Sequence, residues 1–208
     1  MLTAGPTHEK IDPVRFIGNY SSGKMGYAIA EELASRGAEV TLISGPTQLT
    51  VSHPAIKKIS VVSAKEMYQA SIDHFDHMDA AIMAAAVADY APAECAPQKI
   101  KRNGEDMTIR LVPNPDIAAS LGKKKQGQVL VGFALETNNA VENAHKKLEK
   151  KNLDFVVLNS LEHKGAGFQT DTNIISIIDR QGDKKDFPLK SKVEVAKDIV
   201  DHLETILL

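Results

Sequence analysis

Apolar positions along the chain follow two rhythms. The opening MLTAG is a short apolar run that reads as a first strand. After a long loop broken by Pro6 and Pro13, Met25, Ala28, Ile29 and Leu33 recur at helical spacing, with serine before them as a cap and Gly37 after them as a stop. AEVTLIS then reads as a strand closed by GPT, IKKISVVS as a second strand, and SAKEMYQASIDHF as a helix. MDAAIMAAAVADY is almost unbroken apolar sequence, the mark of a strand buried on both faces of a parallel sheet.

From Tyr90 to Asp106 the rhythm stops. APAECAPQKIKRNGED carries two prolines, a basic cluster and no period, and reads as a mobile flap over about residues 91–106. Alternation then resumes: MTIRLV as strand, NPDIAASLGKKK as a capped helix, QVLVGFALE as strand, NNAVENAHKKLEKK as helix and LDFVVLN as another buried strand. NIISIIDRQGDKKDFPL reads as a hairpin around Gln181, Gly182 and Asp183. The last helix, SKVEVAKDIVDHLETILL, sets Val193, Ala196, Ile199, Val200, Leu203 and Ile206 on one stripe. The sum predicts an α/β fold, a parallel sheet flanked by helices with right-handed crossovers, ending in a C-terminal β-hairpin and helix.

Composition narrows the function classes. The 208 residues suit one domain, and 25 basic against 27 acidic residues leave a net charge of -2, so nothing in the composition asks for nucleic acid. No apolar run reaches membrane-span length and the N-terminus lacks a leader pattern, so a cytoplasmic address is expected. Cys95 stands alone, without a partner for an internal disulfide or a thiolate metal site. His74 and His77 fall near a helix C-terminus, where the dipole favours cations without any metal.

In open α/β sheets ligands bind beyond the carboxyl ends of the strands, and four such ends are unusual here. The loop GNYSSGKM has Gly18, Gly23 and Lys24 at phosphate-loop spacing, but Met25 where a hydroxyl should hold Mg²⁺. Its Arg15, Asn19, Ser21, Ser22 and Lys24 suit either an anion site at a helix N-terminus or a plain capped helix. Ala84, Ala85 and Ala86 before Asp89 either let a ligand approach the backbone or pack under a helix. Phe133 either stacks on a base or joins the core. NPDI, Asn114 to Ile117, opens another helix, and Lys147 and Lys151 share a helix face as a like-charge pair that an anion would relieve. Together these residues outline a nucleotide site, although no G-x-G-x-x-G follows the first strand and Met25 argues against a Walker loop.

The segments AGPTHEKIDPVRFIGNYSSGKMGYAIAEELASRGAEVTLISGP, AAAVADYAP, APQKIK, NPDI, VGFALETN and KKNLDFVVLN occur in this order over nearly the whole chain, and in them it closely resembles the phosphopantothenate–cysteine ligase (phosphopantothenoylcysteine synthetase) family of coenzyme A biosynthesis. The most specific parts are DPVRFIGNYSSGKMG and the run from VADY to KIK; the tail after Asn159 is weakly diagnostic. The resemblance implies a Rossmann-like fold over residues 1–208 that forms a homodimer and uses CTP and Mg²⁺ to join 4′-phosphopantothenate and L-cysteine through an acyl cytidylate. It implies that Asn19 holds the activated acyl group within a substrate loop that includes Ser21, Ser22 and Lys24, and that Lys99 is a flap lysine acting on the phosphates. It assigns Ala85, Asp89, Pro115, Asp116, Ile117, Ala118, Phe133, Lys147 and Lys151 to the nucleotide, and Arg15 to substrate or to the dimer. Bacterial members of the family are often fused behind a flavin-dependent decarboxylase, so the resemblance offers a decarboxylase domain as a fused or separate partner and leaves open whether this chain is part of a longer bifunctional protein. The rival readings are an NAD(P)-dependent reductase and a non-catalytic nucleotide-binding module.

Overall fold

The structure, a computed structural model, describes residues 1–136, 140–160 and 170–207. In chain order its elements are β1 (Leu2–Ala4), β2 (His8–Lys10), β3 (Phe16–Gly18), α1 (Lys24–Ser35), β4 (Val40–Ser44), β5 (Ile56–Ser60), α2 (Ala64–Phe75), β6 (Ala80–Met83), β7 (Tyr90–Pro92) and β8 (Leu111–Pro113). There follow α3 (Ile117–Lys124), β9 (Val129–Glu136), α4 (Ala140–Lys151), β10 (Phe155–Ser160), β11 (Thr172–Asn173), β12 (Ile175–Asp179), β13 (Lys184–Asp186), β14 (Lys190–Ser191) and α5 (Lys192–Leu207).

Eight strands form the central sheet in the order β13-β12-β10-β9-β6-β1-β4-β5. The run from β10 to β5 is parallel, and β12 and β13 add the expected antiparallel hairpin at the other edge. The chain moves outward from β1 to β4 and β5, then returns through α2 to β6 on the other side of β1. That reversal opens a crevice beyond the carboxyl ends of β1 and β6.

Successive strand residues point to opposite faces, and two cores result. Leu2, Val131 and Val157 pack with α1 and α5, while Leu130, Val156 and Leu158 pack with α2, α3 and α4. Helix starts follow the side chains available. Ser63 Oγ accepts the Glu66 amide at 3.2 Å while Glu66 Oε2 accepts the Val62 amide, a reciprocal cap. Helix α1 departs from the expected serine cap: its N-cap is Gly23 at φ 81°, with no side-chain cap bond. The α5 stripe holds at Ala196, Ile199, Val200 and Leu203, which are buried, but not at its ends, where Val193 and Ile206 are exposed and Lys192 and Val195 are buried instead.

Three expected elements differ. The apolar run MDAAIMAAAVADY joins the central sheet only over Ala80–Met83, after which the chain leaves the regular ladder, and its last residue, Tyr90, opens β7. The amide of Ala85 donates to Thr3 Oγ1 at 3.3 Å and that of Ala88 to Thr7 Oγ1 at 2.9 Å, so two threonine hydroxyls replace strand partners. MTIRLV narrows to Leu111–Pro113, which pairs with Tyr90–Pro92 at the root of the flap. The loop after β1 hides a second hairpin, β2 with β3, where the ring of His8 stacks on Phe16 at 3.7 Å.

Helix α1 lies so close to β1 that a Cβ on Gly26 would stand 2.6 Å from the Ala4 Cβ. Gly26→Ala is therefore expected to lower stability by about 1–3 kcal/mol, the usual range for overpacking. Gly127→Ala, where nothing lies within 4 Å, is the control expected to change the denaturation midpoint little.

Candidate functional site

The crevice at the switch point divides into two cavities with a common wall. The first, about 620 Å³, is lined by Ala85, Asp89, Pro115, Asp116, Ile117, Ala118, Phe133, Lys147 and Lys151, which are all the nucleotide candidates except Lys99. The second, about 430 Å³, is lined by Asn19, Ser21, Ser22 and Lys24 from the GNYSSGKM loop. Ala85, Val87, Asp89, Phe133 and Lys147 line both. A ligand reaching from one cavity to the other must pass the small side chain of Ala85 and the carboxylate of Asp89.

Local contacts explain how each wall is held. Asn114 clamps the first cavity: its amide donates to Asp89 O at 2.8 Å and its Nδ2 to Ala88 O at 2.8 Å. Asp116 caps α3 through the Ala119 amide at 3.0 Å and pairs with Lys151 at 3.0 Å. Burial works to raise the Asp116 carboxyl, but the Ala119 amide and Lys151 outweigh it, and the carboxyl is held below its ordinary value. The like-charge strain read between Lys147 and Lys151 thus has an internal answer, since Lys151 already faces a carboxylate.

In the second cavity, Gly23 to Gly26 line the wall, which brings the positive end of the α1 dipole to it. Lys24 pairs with Asp171 at 2.6 Å, a contact across 147 residues of sequence. Asn19 donates from Nδ2 to the carbonyls of Ala86 at 3.0 Å and Val87 at 3.3 Å, so its amide nitrogen fastens the loop to the alanine segment. The tail supplies three further lining residues that the sequence did not single out, Asn159, Asn173 and Lys192. They stand at the ends of β10, β11 and the start of α5, where no periodicity marks them.

Arg15 and Lys99 are not in the crevice. Both line a third cavity, about 620 Å³, formed with the flap residues Ile100 to Asn103 and Glu105 to Thr108. Its root is a clasp on Asp12, a residue buried at 1% exposure. Asp12 Oδ1 accepts the amides of Val14 and Arg15 at 2.8 Å each, and Oδ2 accepts Arg15 Nη2 at 2.5 Å and the Ile100 amide at 3.2 Å. Arg15 Nη2 also donates to Ile100 O at 3.0 Å, and the Ala96 amide to Ile11 O at 2.9 Å. The flap lysine therefore lies between two fixed points rather than on a loose tip.

Among the described residues, no group of three or more His, Cys, Asp or Glu is arranged to hold a metal ion, and no helix is long and apolar enough to cross a membrane. His74 Nδ1 lies 2.9 Å from Ala70 O, within its own helix.

The family described as DNA/pantothenate metabolism flavoprotein C-terminal domain matches residues 1–207. A protein of an unknown prokaryotic organism, named cysteine/cysteine sulfinic acid decarboxylase, is 54% identical over 207 residues, which make up 99% of this chain and 58% of that protein. The coenzyme A biosynthesis bifunctional protein CoaBC of Haemophilus influenzae is 48% identical over 203 residues, 97% of this chain and 50% of that protein. The crystal structure of the C-terminal domain of a CoaBC protein superposes with a TM-score of 0.84 at 43% identity, covering 99% of this chain and 93% of that one. The chain spans about half the length of the curated relatives it matches.

The Asp12 clasp has a pH signature. The Arg15 hydrogen bond, against opposition from burial and with help from the amides of Val14, Arg15 and Ile100, holds the carboxyl well below the usual carboxylate range. Its stabilising contribution is fully present above the unfolded-state value and is lost as pH falls through the carboxylate range. Asp12→Asn is expected to lower the denaturation midpoint at neutral pH and to lessen the further fall between about pH 5 and pH 2. Equal acid sensitivity of the two proteins would show that the clasp does not contribute.

Proposed function

The chain belongs to the DNA/pantothenate metabolism flavoprotein C-terminal domain family, and from that premise we propose that it is a CTP-dependent ligase joining 4′-phosphopantothenate to L-cysteine. The observation that carries the reading is the pair of cavities with one shared wall: an activated acid needs its nucleotide on one side of the reacting carboxyl and its acyl chain and acceptor on the other.

The chemistry is acyl activation. A carboxylate oxygen of phosphopantothenate attacks the α-phosphorus of CTP, an O–P bond forms, and pyrophosphate leaves with the electron pair of the broken bond. Cysteine then attacks the acyl carbon through its neutral amine, the C–N bond forms, and CMP leaves with the pair of the broken C–O bond while the amine's remaining excess proton passes to solvent. In this reading the first cavity takes cytidine, with Phe133 offering a ring face and the α3 N-terminus its amides. Asn19 fixes the loop against Ala86 and Val87, and Lys24 with the α1 N-terminus offsets charge on the acyl phosphate. Asp89, a carboxylate common to both cavities, would be the residue to hold Mg²⁺ brought with the nucleotide, an ion that takes one or two carboxylates together with phosphate oxygens and would offset phosphate charge there.

Arg15 and Lys99 need a different argument, because they line the flap cavity and not the crevice. The chain around Arg15 exposes large apolar side chains, Phe16 at 51% in β3 and Tyr20 at 85% in the loop that follows it. These rings are suited to cover by a second copy, and we assign Arg15 and Lys99 to a site completed across a homodimer. We assign a flavin-dependent decarboxylase to the remaining part of the longer relatives, and the decarboxylase name of one of them to that part rather than to this chain.

Incubated with CTP, phosphopantothenate and Mg²⁺, the protein is expected to release pyrophosphate before cysteine is added, and with cysteine alone to release no carbon dioxide. A nicotinamide reductase or a passive nucleotide module would release no pyrophosphate. Asn19→Asp sets a carboxylate against two carbonyl oxygens, so turnover should drop by about a hundredfold or more in a folded protein; near-normal turnover removes Asn19 from the mechanism. Lys99→Gln should slow catalysis more than it weakens CTP binding, whereas equal losses would make Lys99 an anchor only. Light scattering should give twice the 22.6 kDa chain mass. A fully active monomer would remove the dimer from the reading.

A further inference from the structure

The tail of the chain brings to the second cavity polar groups that none of the steps above uses. Lys192, at the first position of α5, is only 6% exposed, and its amine donates to Thr170 O at 2.6 Å. Lysine is among the residue types most rarely buried so far. Burial first, and Lys24 second, lower its pKa from the ordinary lysine value, while Asp171 acts in the other direction. These three charges therefore share one small volume.

Asn159, at the end of β10, contributes the opposite kind of group. Its Oδ1 is buried and accepts no hydrogen bond from the described residues. An acceptor removed from water and left unpaired costs stability unless a ligand supplies a donor. Phe133, Ala134 and Leu135 form an apolar wall of the same cavity.

A cation, an unpaired acceptor and a short apolar wall complement a small α-amino acid: its carboxylate, its amine and its side chain. The cavity's volume of about 430 Å³ lies in the range of small-ligand pockets. Phosphate groups, the other anions this site could attract, offer only acceptors and would leave Asn159 Oδ1 unanswered.

We propose that Lys192 and Asn159 form the subsite for the acceptor amino acid, with Lys192 Nζ binding the α-carboxylate of L-cysteine and Asn159 Oδ1 accepting an N–H of its neutral amine. The assignment rests on the ligase reading and extends it. With one N–H held by Asn159, the amine keeps its lone pair for the acyl carbon, and the carboxylate contact separates cysteine from amines that lack that group.

The test separates the two half-reactions. Lys192→Met keeps length and apolar bulk, and should leave pyrophosphate release without cysteine unchanged. It should raise KM for cysteine by about tenfold or more, the loss typical of a hydrogen bond to a charged group. Cysteamine, which lacks the carboxylate, should be a poor acceptor for the unaltered protein, and Lys192→Met should remove most of the preference for cysteine over it. An unchanged preference, or equal loss of both half-reactions, overturns the subsite. Asn159→Asp is the second variant, whose carboxylate would hold the amine in its protonated form: kcat should fall, with recovery toward high pH, while KM for cysteine does not rise. A flat pH dependence of the loss counts against the assignment. Saturation-transfer NMR with L-cysteine, on protein alone and loaded with CTP, needs no turnover and so distinguishes failure of the subsite from failure of the ligase reading. Signal in the unaltered protein that disappears in Lys192→Met supports the subsite, and absence of signal in both states of the unaltered protein overturns it.

Discussion

Backbone touching backbone beneath the crevice is the constraint from which the site follows. A side chain on Gly26 would enter Ala4, and one on Gly45 would stand 1.7 Å from Pro6 O. Helix α1 and the end of β4 can therefore approach β1 more closely than residues with a Cβ allow. That approach sets the first turn of α1 at the sheet's switch point. It also leaves the space beyond β1 and β6 floored by main chain and alanine rather than filled by side chains.

From that floor the walls are built by contacts that each replace an ordinary strand or helix bond. Thr3 and Thr7 take the amides of Ala85 and Ala88 through their hydroxyls, while Ala86 between them keeps a parallel bridge to Pro6, so the alanine segment runs on beside the chain after β1 without continuing the regular ladder. Asn19 takes the carbonyls of the same segment from the opposite side. The alanines are thus held from two directions without bulky packing. This arrangement keeps a narrow passage open between the cavities while the surrounding backbone polar groups remain bonded.

The sequence was legible where burial is periodic. Strands β4, β9 and β10 lie between two cores and read as apolar runs, and α5 reads as a stripe whose middle, Ala196, Ile199, Val200 and Leu203, is buried while its ends Val193 and Ile206 are exposed. The β2–β3 hairpin was not legible, and of β7–β8 only the second arm was read, within MTIRLV: these strands have three residues each, and buried Asp12, in the turn of the first hairpin, joins that turn to the flap through the Ile100 amide without any apolar pattern. The crevice residues came from unusual types at strand ends and from family resemblance, and the structure gathers nearly all of them around the two cavities. Asn159, Asn173 and Lys192 escaped notice because each lies at or beside the end of an element, and only the sheet's connectivity brings those ends to the first helix.

The Asp12 clasp divides the flap into parts with different freedom to vary. Because Ala96 and Ile100 are both bonded to the hairpin, Lys99 keeps its station whatever follows it, and the next cross-strand bond is from Ala93 to Arg110. The segment from Lys101 to Thr108 is then a separable cover. A change in its length or charge would leave the contacts that station Lys99 in place, because those contacts lie before it in the chain.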